Sequence, residues 1–388
     1  MRWLSNVRLP QGTPCNPRRD QRWRVTIDGE GRIARFEPIG AGSTAAGDDW
    51  NGDWLSPMGV DLQINGGLGL PFPELNAADL PKLEELLEFL WHEGVEAISP
   101  TLVTCGVGPL RQALAVLAQA RTRHRPGLCQ LLGAHLEGPF LAPTRRGAHP
   151  EEHLCPPSLA ALEERISGFA GGPQADIALM TLAPELEGAD AVIETLRARQ
   201  VVVCLGHSAA DGRQAEAGFA AGVSMLTHAF NAMAGLHHRD PGPVGAAALR
   251  GTVALGLIAD GVHVAPTMAV LLQRLAPQAT VLVSDALAPY GLGEGAHRWD
   301  ERLLTVKDGS CRLADGTLAG TTLPLLEGVA RLVHWGVPPD QAIAAATLHP
   351  RRVLGDARPL QTLLLGRPLT SCLRWRQGEG GLGWQALA

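Results

Sequence analysis

From residue 55 onward the sequence alternates near-continuous apolar runs with amphipathic helical patterns, and few folds accommodate that rhythm. Eight runs read as strands: 57–64, 95–103, 128–137, 176–182, 201–206, 223–228, 252–259 and 280–285. After the first, residues 79–93 place Leu80, Leu83, Leu86, Leu87 and Leu90 on one helical face, with Gly94 as a stop. Residues 108–123 repeat the pattern with Leu110, Leu114 and Leu117, and 209–221, 266–275, 323–335 and 338–347 read as further helices. Strands apolar on both faces and separated by helices belong to a parallel sheet covered on both sides. Eight such units over about 290 residues predict an α/β fold of the (β/α)8 TIM-like barrel type, with a doubly wound open sheet as the alternative. The two differ at the strand tips, because only a barrel brings all eight to one mouth.

Three of the runs end in side chains that an apolar strand has no reason to carry. Ala134-His135-Leu136-Glu137-Gly138-Pro139 delivers a carboxylate, while Val201 to His207 and Val223 to His228 each deliver an imidazole. A single buried histidine is usually a satisfied core residue. Three polar groups buried at one mouth are costly unless they share a cation. One carboxylate and two imidazoles, Glu137, His207 and His228, suit Zn²⁺, with Fe²⁺ possible, and leave a coordination position open for water. The eighth run ends in Ser284-Asp285. Asp285 reads as a turn or capping residue in isolation, and as a general base for a metal-activated water if its strand closes the same barrel.

Further polar residues fall on loops expected at that mouth. Asn231 follows His228, and Arg239 sits in His237-His238-Arg239-Asp240. His263 ends Ala259-Asp260-Gly261-Val262-His263, and His149 closes Arg145-Arg146-Gly147-Ala148-His149. Arg239 and His263 together suit a phosphate or carboxylate. Leu318-Ala319-Gly320-Thr321-Thr322 reads as a small-residue turn before a helix, able to offer backbone N–H groups.

The chain ends follow another pattern. Trp23, Val25 and Ile27 alternate with polar residues, Asp28 to Gly31 supplies a turn, and Ile33 to Phe36 returns. Residues 38–53 read as loop, and 360–365 and 370–375 are short apolar pieces. Residues 1–54 and 350–388 are therefore expected to form one small β-sandwich-like domain beside a barrel of 55–349. The net charge of −6, without a long charged block, argues against nucleic acid or an anionic membrane as partner. No apolar run reaches the roughly 20 residues of a membrane helix, and the N-terminus lacks a signal-peptide core. Seven scattered cysteines without a C-x-x-C pair suit reduced thiols in a cytoplasmic protein.

With these residues in hand, the chain resembles the N-acetylglucosamine-6-phosphate deacetylase family of the amidohydrolase superfamily. The resemblance rests on ordered segments. They are G-V-D-L-Q-I-N-G-G at 59–67, H-L-E-G-P-F at 135–140, R-G-A-H at 146–149, G-H-S-A at 206–209, T-H-A-F-N-A-M at 227–233, H-R-D-P-G at 238–242, I-A-D-G-V-H at 258–263, V-S-D-A-L-A-P at 283–289 and L-A-G-T-T-L at 318–323. It implies a barrel with a small β domain built from both chain ends, and metal-dependent removal of the acetyl group from an N-acetyl-hexosamine 6-phosphate in amino-sugar catabolism. It maps metal ligands to Glu137, His207 and His228, and the catalytic aspartate to Asp285. Substrate contacts map to Ala148, His149, Asn231, Ala232, Arg239, His263, Leu318, Ala319 and Gly320. It also implies a homodimer whose phosphate contact comes partly from the neighbouring subunit. Many superfamily members carry H-x-H at the end of strand one. Here Gln63-Ile64-Asn65 stands there, and amides are poor Zn²⁺ ligands, so a single metal is expected, with Gln63 and Asn65 as a second-shell or vestigial second position. Two rivals are a deacetylase of the galacto epimer or another N-acyl sugar, and a non-catalytic scaffold on the same barrel.

Overall fold

The computed structural model describes residues 2–10, 20–40 and 47–387. The barrel strands, numbered in chain order, are β1 (Gly59–Ile64), β2 (Val95–Val103), β3 (Ala134–Glu137), β4 (Ile177–Leu182), β5 (Val202–Leu205), β6 (Met225–Leu226), β7 (Ala254–Leu257) and β8 (Thr280–Leu282). Each pairs in parallel with the next, from β1·β2 to β7·β8. The seam between β8 and β1 closes just past the strand ends: Asp285 N–H donates to the Gln63 carbonyl at 2.9 Å, and Asn65 N–H to the Ala286 carbonyl at 2.7 Å. The open-sheet alternative is thereby set aside.

Alternation inside the barrel decides what faces the axis. In β3, Leu136 packs outward in the apolar layer under the helices. His135 and Glu137 point inward, where His135 bridges the Leu62 carbonyl (3.0 Å) and the Thr181 hydroxyl (2.7 Å). The expected helices appear at Leu80–His92, Val107–Arg121, Gly212–Ala221, Pro266–Leu275, Leu325–His334 and Pro339–Thr347. Three more, Leu159–Ile166, Ala189–Ala198 and Gly242–Arg250, complete the outer ring where short sequence windows gave no clear period.

Both chain ends fold into antiparallel sheets around one apolar cluster containing Leu4, Trp23, Val25, Ile33, Trp50, Leu55, Leu364 and Cys372. Arg2–Val7, Arg22–Ile27 and Ile33–Ile39 form one sheet, and Trp54–Pro57, Cys372–Gly378 and Gly381–Ala386 another. Several expectations are corrected. Residues 38–53 are not all loop, since Asp48–Asp49 pairs with the first strand; 41–46 lie outside the described residues. Trp54–Pro57 pairs with the C-terminal strand, so the barrel begins at Gly59. Residues 360–364 form a helix. Residues 318–321 are the edge strand of a four-stranded antiparallel sheet, Gly295–Trp299, Arg302–Lys307, Ser310–Leu313 and Leu318–Thr321, inserted after β8. The six described cysteines are free, and Cys15 lies outside the described residues. Among the described residues no helix is long and apolar enough to cross a membrane.

The end of the barrel away from the Glu137 tip is held by charge and hydrogen bonds. Glu96 pairs with Arg351 and Arg367, and Arg351 also donates to the Met58 carbonyl at 3.0 Å. Beside it His349 is buried and its Nδ1–H donates to the Thr280 carbonyl at 2.7 Å. Burial pushes its pKa down from 6.5 to about 4. Between those values the unfolded chain binds the proton and the folded chain does not, so stability falls as pH drops through this window. The shift corresponds to about 3 kcal/mol. Urea unfolding midpoints measured from pH 7 to 4 should therefore fall in the wild type. They should fall less steeply in His349→Leu, whose absolute stability is lower because the Thr280 carbonyl loses its donor. An unchanged slope in the variant would remove His349 as the cause.

Candidate active site

Four side chains meet where β3, β5, β6 and β8 end. Glu137 is the last residue of β3, and His207, His228 and Asp285 follow β5, β6 and β8. All are buried. The last three have left-handed backbones, with φ of 49°, 26° and 49°. Such a conformation costs roughly 1–3 kcal/mol at a non-glycine residue and persists only where the surroundings impose it. Here it turns each side chain off its strand toward the barrel axis.

Glu137 Oε1 lies 3.3 Å from His207 Nε2 and 3.2 Å from His228 Nε2, and the two nitrogens are 3.1 Å apart. His207 Nδ1 bonds the Arg145 carbonyl at 2.9 Å, so it carries the ring proton and leaves a lone pair on Nε2. A carboxylate oxygen and two imidazole nitrogens converging this closely fit a cation. Tetrahedral donors at about 2.0–2.1 Å from an ion stand about 3.3 Å from one another. Glu137, His149 and His207 form a second, looser group, with ligand atoms all within 4.8 Å, that could also hold a metal. His149 Nε2 faces the other carboxylate oxygen at 3.9 Å. The triangle closed by His228 is the better match to one ion.

The electrostatics are those of a compensated cluster. Burial alone raises the Glu137 pKa, but hydrogen bonds with His207 and His228 and the proximity of His149 hold it well below the carboxylate range. Burial lowers His228, but its hydrogen bond with Glu137 and the Glu137 and Asp285 charges together outweigh that and raise it. Burial and His207 push His149 down to about 3. Asp285 goes the other way, pushed up to about 7 by burial and by the Glu137 charge. A cation at the cluster would favour its ionised form. Gln63 Nε2 spans both acids, at 3.1 Å from Glu137 Oε1 and 3.3 Å from Asp285 Oδ1, and Asn65 Nδ2 donates to Asp285 Oδ1 at 2.8 Å. Thr104 donates its hydroxyl to the Glu137 carbonyl at 2.9 Å, and His149 Nδ1 lies 2.9 Å from the same hydroxyl oxygen and 3.4 Å from the Thr104 amide nitrogen.

These groups line one cavity of about 330 Å³. Ala148, His149, Asn231, Ala232, His263, Leu318 and Ala319 line it as expected. His263 is fixed by its Nδ1 contact with Asp260 at 2.6 Å. Two expected contacts are placed differently. Gly320 lies beside the cavity wall: a Cβ there would stand 2.6 Å from the Asp285 carbonyl oxygen, so glycine permits the edge strand to approach Asp285. Arg239 is exposed on a separate groove with Arg213, Glu216 and Leu249, and does not line the cavity with His263. Sequence reasoning missed Trp299, which lines the cavity from the inserted sheet. Its only signal was the alternation of Trp299, Leu304 and Val306 with polar residues in a stretch too short to stand out.

A (β/α)8 barrel whose strand tips gather a carboxylate, imidazoles and an aspartate defines the chain as an amidohydrolase-type enzyme. No protein-family model matches the chain. It is 38% identical to an N-acetylgalactosamine-6-phosphate deacetylase of Escherichia coli O157:H7 over 339 residues, covering 87% of each chain. It is 37% identical to the N-acetylglucosamine-6-phosphate deacetylase of Homo sapiens over 327 residues, covering 82% of this chain and 78% of that one. A solved structure of a mutant Mycobacterium smegmatis N-acetyl-D-glucosamine-6-phosphate deacetylase, in complex with N-acetyl-D-glucosamine-6-phosphate, superposes with a TM-score of 0.74 at 27% identity, covering 91% and 90%. The chain belongs to the N-acetylglucosamine-6-phosphate deacetylase family.

Proposed function

We propose that the chain hydrolyses the acetamido group of N-acetyl-D-glucosamine 6-phosphate to D-glucosamine 6-phosphate and acetate. The observation that carries this is the Glu137–His207–His228 triangle, with edges of 3.1–3.3 Å, facing Asp285 across a cavity of sugar-phosphate size. Glu137, His207 and His228 are the proposed ligands of one divalent cation, Zn²⁺ by donor set and Fe²⁺ as the second choice. Bound there, the cation supplies Lewis acidity and makes a water acidic enough to ionise near neutral pH. Asp285 would accept the proton of the water that attacks the amide carbonyl. It then returns the proton to the departing nitrogen. Gln63 and Asn65, amides where a second metal's imidazoles would stand, hold Asp285 in position. His149, whose Nε2 edge stands 3.9 Å from Glu137 Oε2, is placed beside the oxyanion.

The phosphate is assigned to His263 with Arg239 of a neighbouring subunit in a homodimer. The separation of Arg239 from its own chain's cavity and the nearly full exposure of Leu249 (89%) support that reading. Free cysteines agree with a cytoplasmic enzyme. The galacto epimer is the second reading, favoured by the 38% identity to a relative named for it.

Acetate release from both 6-phosphate epimers, with and without a chelator, tests the reaction. Loss on chelation and recovery with Zn²⁺ or Fe²⁺ is expected, and metal-independent turnover would defeat it. Asp285→Asn should lower kcat by about 10²–10⁴-fold while elemental analysis still finds one metal per chain. Asn65→Leu removes a donor to the Asp285 carboxylate, which favours its neutral form. The acid limb of the rate profile should therefore move to higher pH; no movement would remove Asp285 as the titrating base. Arg239→Ala should raise KM for the phosphorylated sugar far more than for its unphosphorylated counterpart.

A further inference from the structure

The cavity lining mixes polar and apolar residues, and one apolar group in it is contiguous. There Val103, Ala148, Trp299 and Ala319 join in a single apolar cluster with Leu304 and Val306 of the inserted sheet. Three of the four are each one residue from a group that touches a catalytic carboxylate or its backbone. Val103 precedes Thr104, which donates to the Glu137 carbonyl. Ala148 precedes His149, which faces Glu137 Oε2 at 3.9 Å. Ala319 precedes Gly320, which packs against the Asp285 carbonyl. The apolar patch therefore borders the reacting centre directly. An N-acyl hexosamine phosphate presents hydroxyls and phosphate almost everywhere. Its one wholly apolar substituent is the acyl chain, whose first carbon is bonded to the carbonyl carbon that reacts.

Resting on the deacetylase reading above, we infer that Val103, Ala148, Trp299 and Ala319 form the acyl pocket, and that Trp299 sets its length so that acetyl is accepted and longer chains are rejected. The wall is braced. Arg302 stacks its guanidinium over the Trp299 ring at 4.5 Å, is clamped by Asp300, and donates to the Ala148 carbonyl at 2.8 Å. That contact ties the tip of the inserted hairpin to the loop carrying His149. An added methylene meets an indole that cannot swing aside, and close-packed walls discriminate through such overlap. Arg302 is thus a positioning residue acting through Trp299 and Ala148.

The test uses the metal-loaded enzyme and glucosamine 6-phosphate carrying N-formyl, N-acetyl, N-propionyl or N-butyryl groups, with carboxylate release read for each. In the wild type kcat/KM should fall about tenfold or more from acetyl to butyryl. Trp299→Leu keeps an apolar side chain in the sheet but shortens the wall, and should raise the butyryl-to-acetyl ratio by about tenfold. Ala148→Val fills the pocket from the other side and should lower the acetyl-to-formyl ratio by a similar factor. Melting temperature and metal content verify that each variant is folded and loaded. Should one variant fail to fold, the other still decides. Equal use of acetyl and butyryl by the wild type overturns the inference, as do ratios left unchanged by the folded variants. A uniform rise in KM for all four substrates would place the patch against the sugar ring and overturn it too. A wild type that releases no carboxylate from any of the four defeats the deacetylase reading itself, an outcome distinct from those three.

Discussion

The seam between the first and last barrel strands determines both closure and chemistry. Parallel strands at the edges of an open sheet leave a row of unpaired N–H and carbonyl groups. Here two backbone hydrogen bonds pair four such groups at the strand ends, one between Asp285 and Gln63 and the other between Asn65 and Ala286. Asp61, buried and pushed up to about 7 by burial, accepts from the amides of Gln63 and Ser284, both at 3.2 Å, and so braces the same seam from within. The hydrogen bonds that shut the barrel also set Asp285 beside the Gln63 and Asn65 side chains. Loosening the seam would cost the site Asp285 and the amides that orient it together.

Burying two carboxylates and three imidazoles within one mouth is unfavourable unless their charges are compensated and their donors aimed. Part of the compensation is visible in the protein. Glu137 is stabilised as an anion by the imidazoles around it, and Gln63 lends a donor to both acids at once. The left-handed backbones at His207, His228 and Asp285 add strain on top of that desolvation. Strain and desolvation gathered at the same strand tips, with ordinary paired arginines at the far end, mark the division common to barrels: stability at one end, reactivity at the other.

Sequence was informative where physics acts locally. His207 and His228 announce themselves because each closes a mainly apolar run, and Asp285 for the same reason. Their distances could not be read, but convergence of parallel strand tips made them meet. The place of Arg239 was harder to read because it lies several residues beyond its strand, in a loop whose course depends on how the helices Gly212–Ala221 and Gly242–Arg250 pack. Trp299 was illegible for a different reason. Its strand is exposed or half-buried up to Trp299 itself, is only five residues long, and gains its meaning solely from folding back over the cavity. The same non-local pairing hid the strand at 318–321, whose small residues look like a turn until Ser310–Leu313 is laid beside them.

The amides at the end of β1 connect these strands of argument. Imidazoles at positions 63 and 65 could bind a second cation, and that cation would take up the charge of Asp285. Gln63 and Asn65 instead spend N–H donors on the same carboxylate, and the Asn65 bond opposes the rise that burial and Glu137 impose on its pKa. An uncoordinated carboxylate held by two amides at the rim of a single-ion site is free to accept a proton from water and to give it up again. A carboxylate bridging two ions has its lone pairs committed to metal. The substitution of amide for imidazole at one strand tip thus favours Asp285 as a proton carrier over Asp285 as a ligand, and on the proposed one-ion reading it is why a single aspartate can serve both halves of an amide hydrolysis.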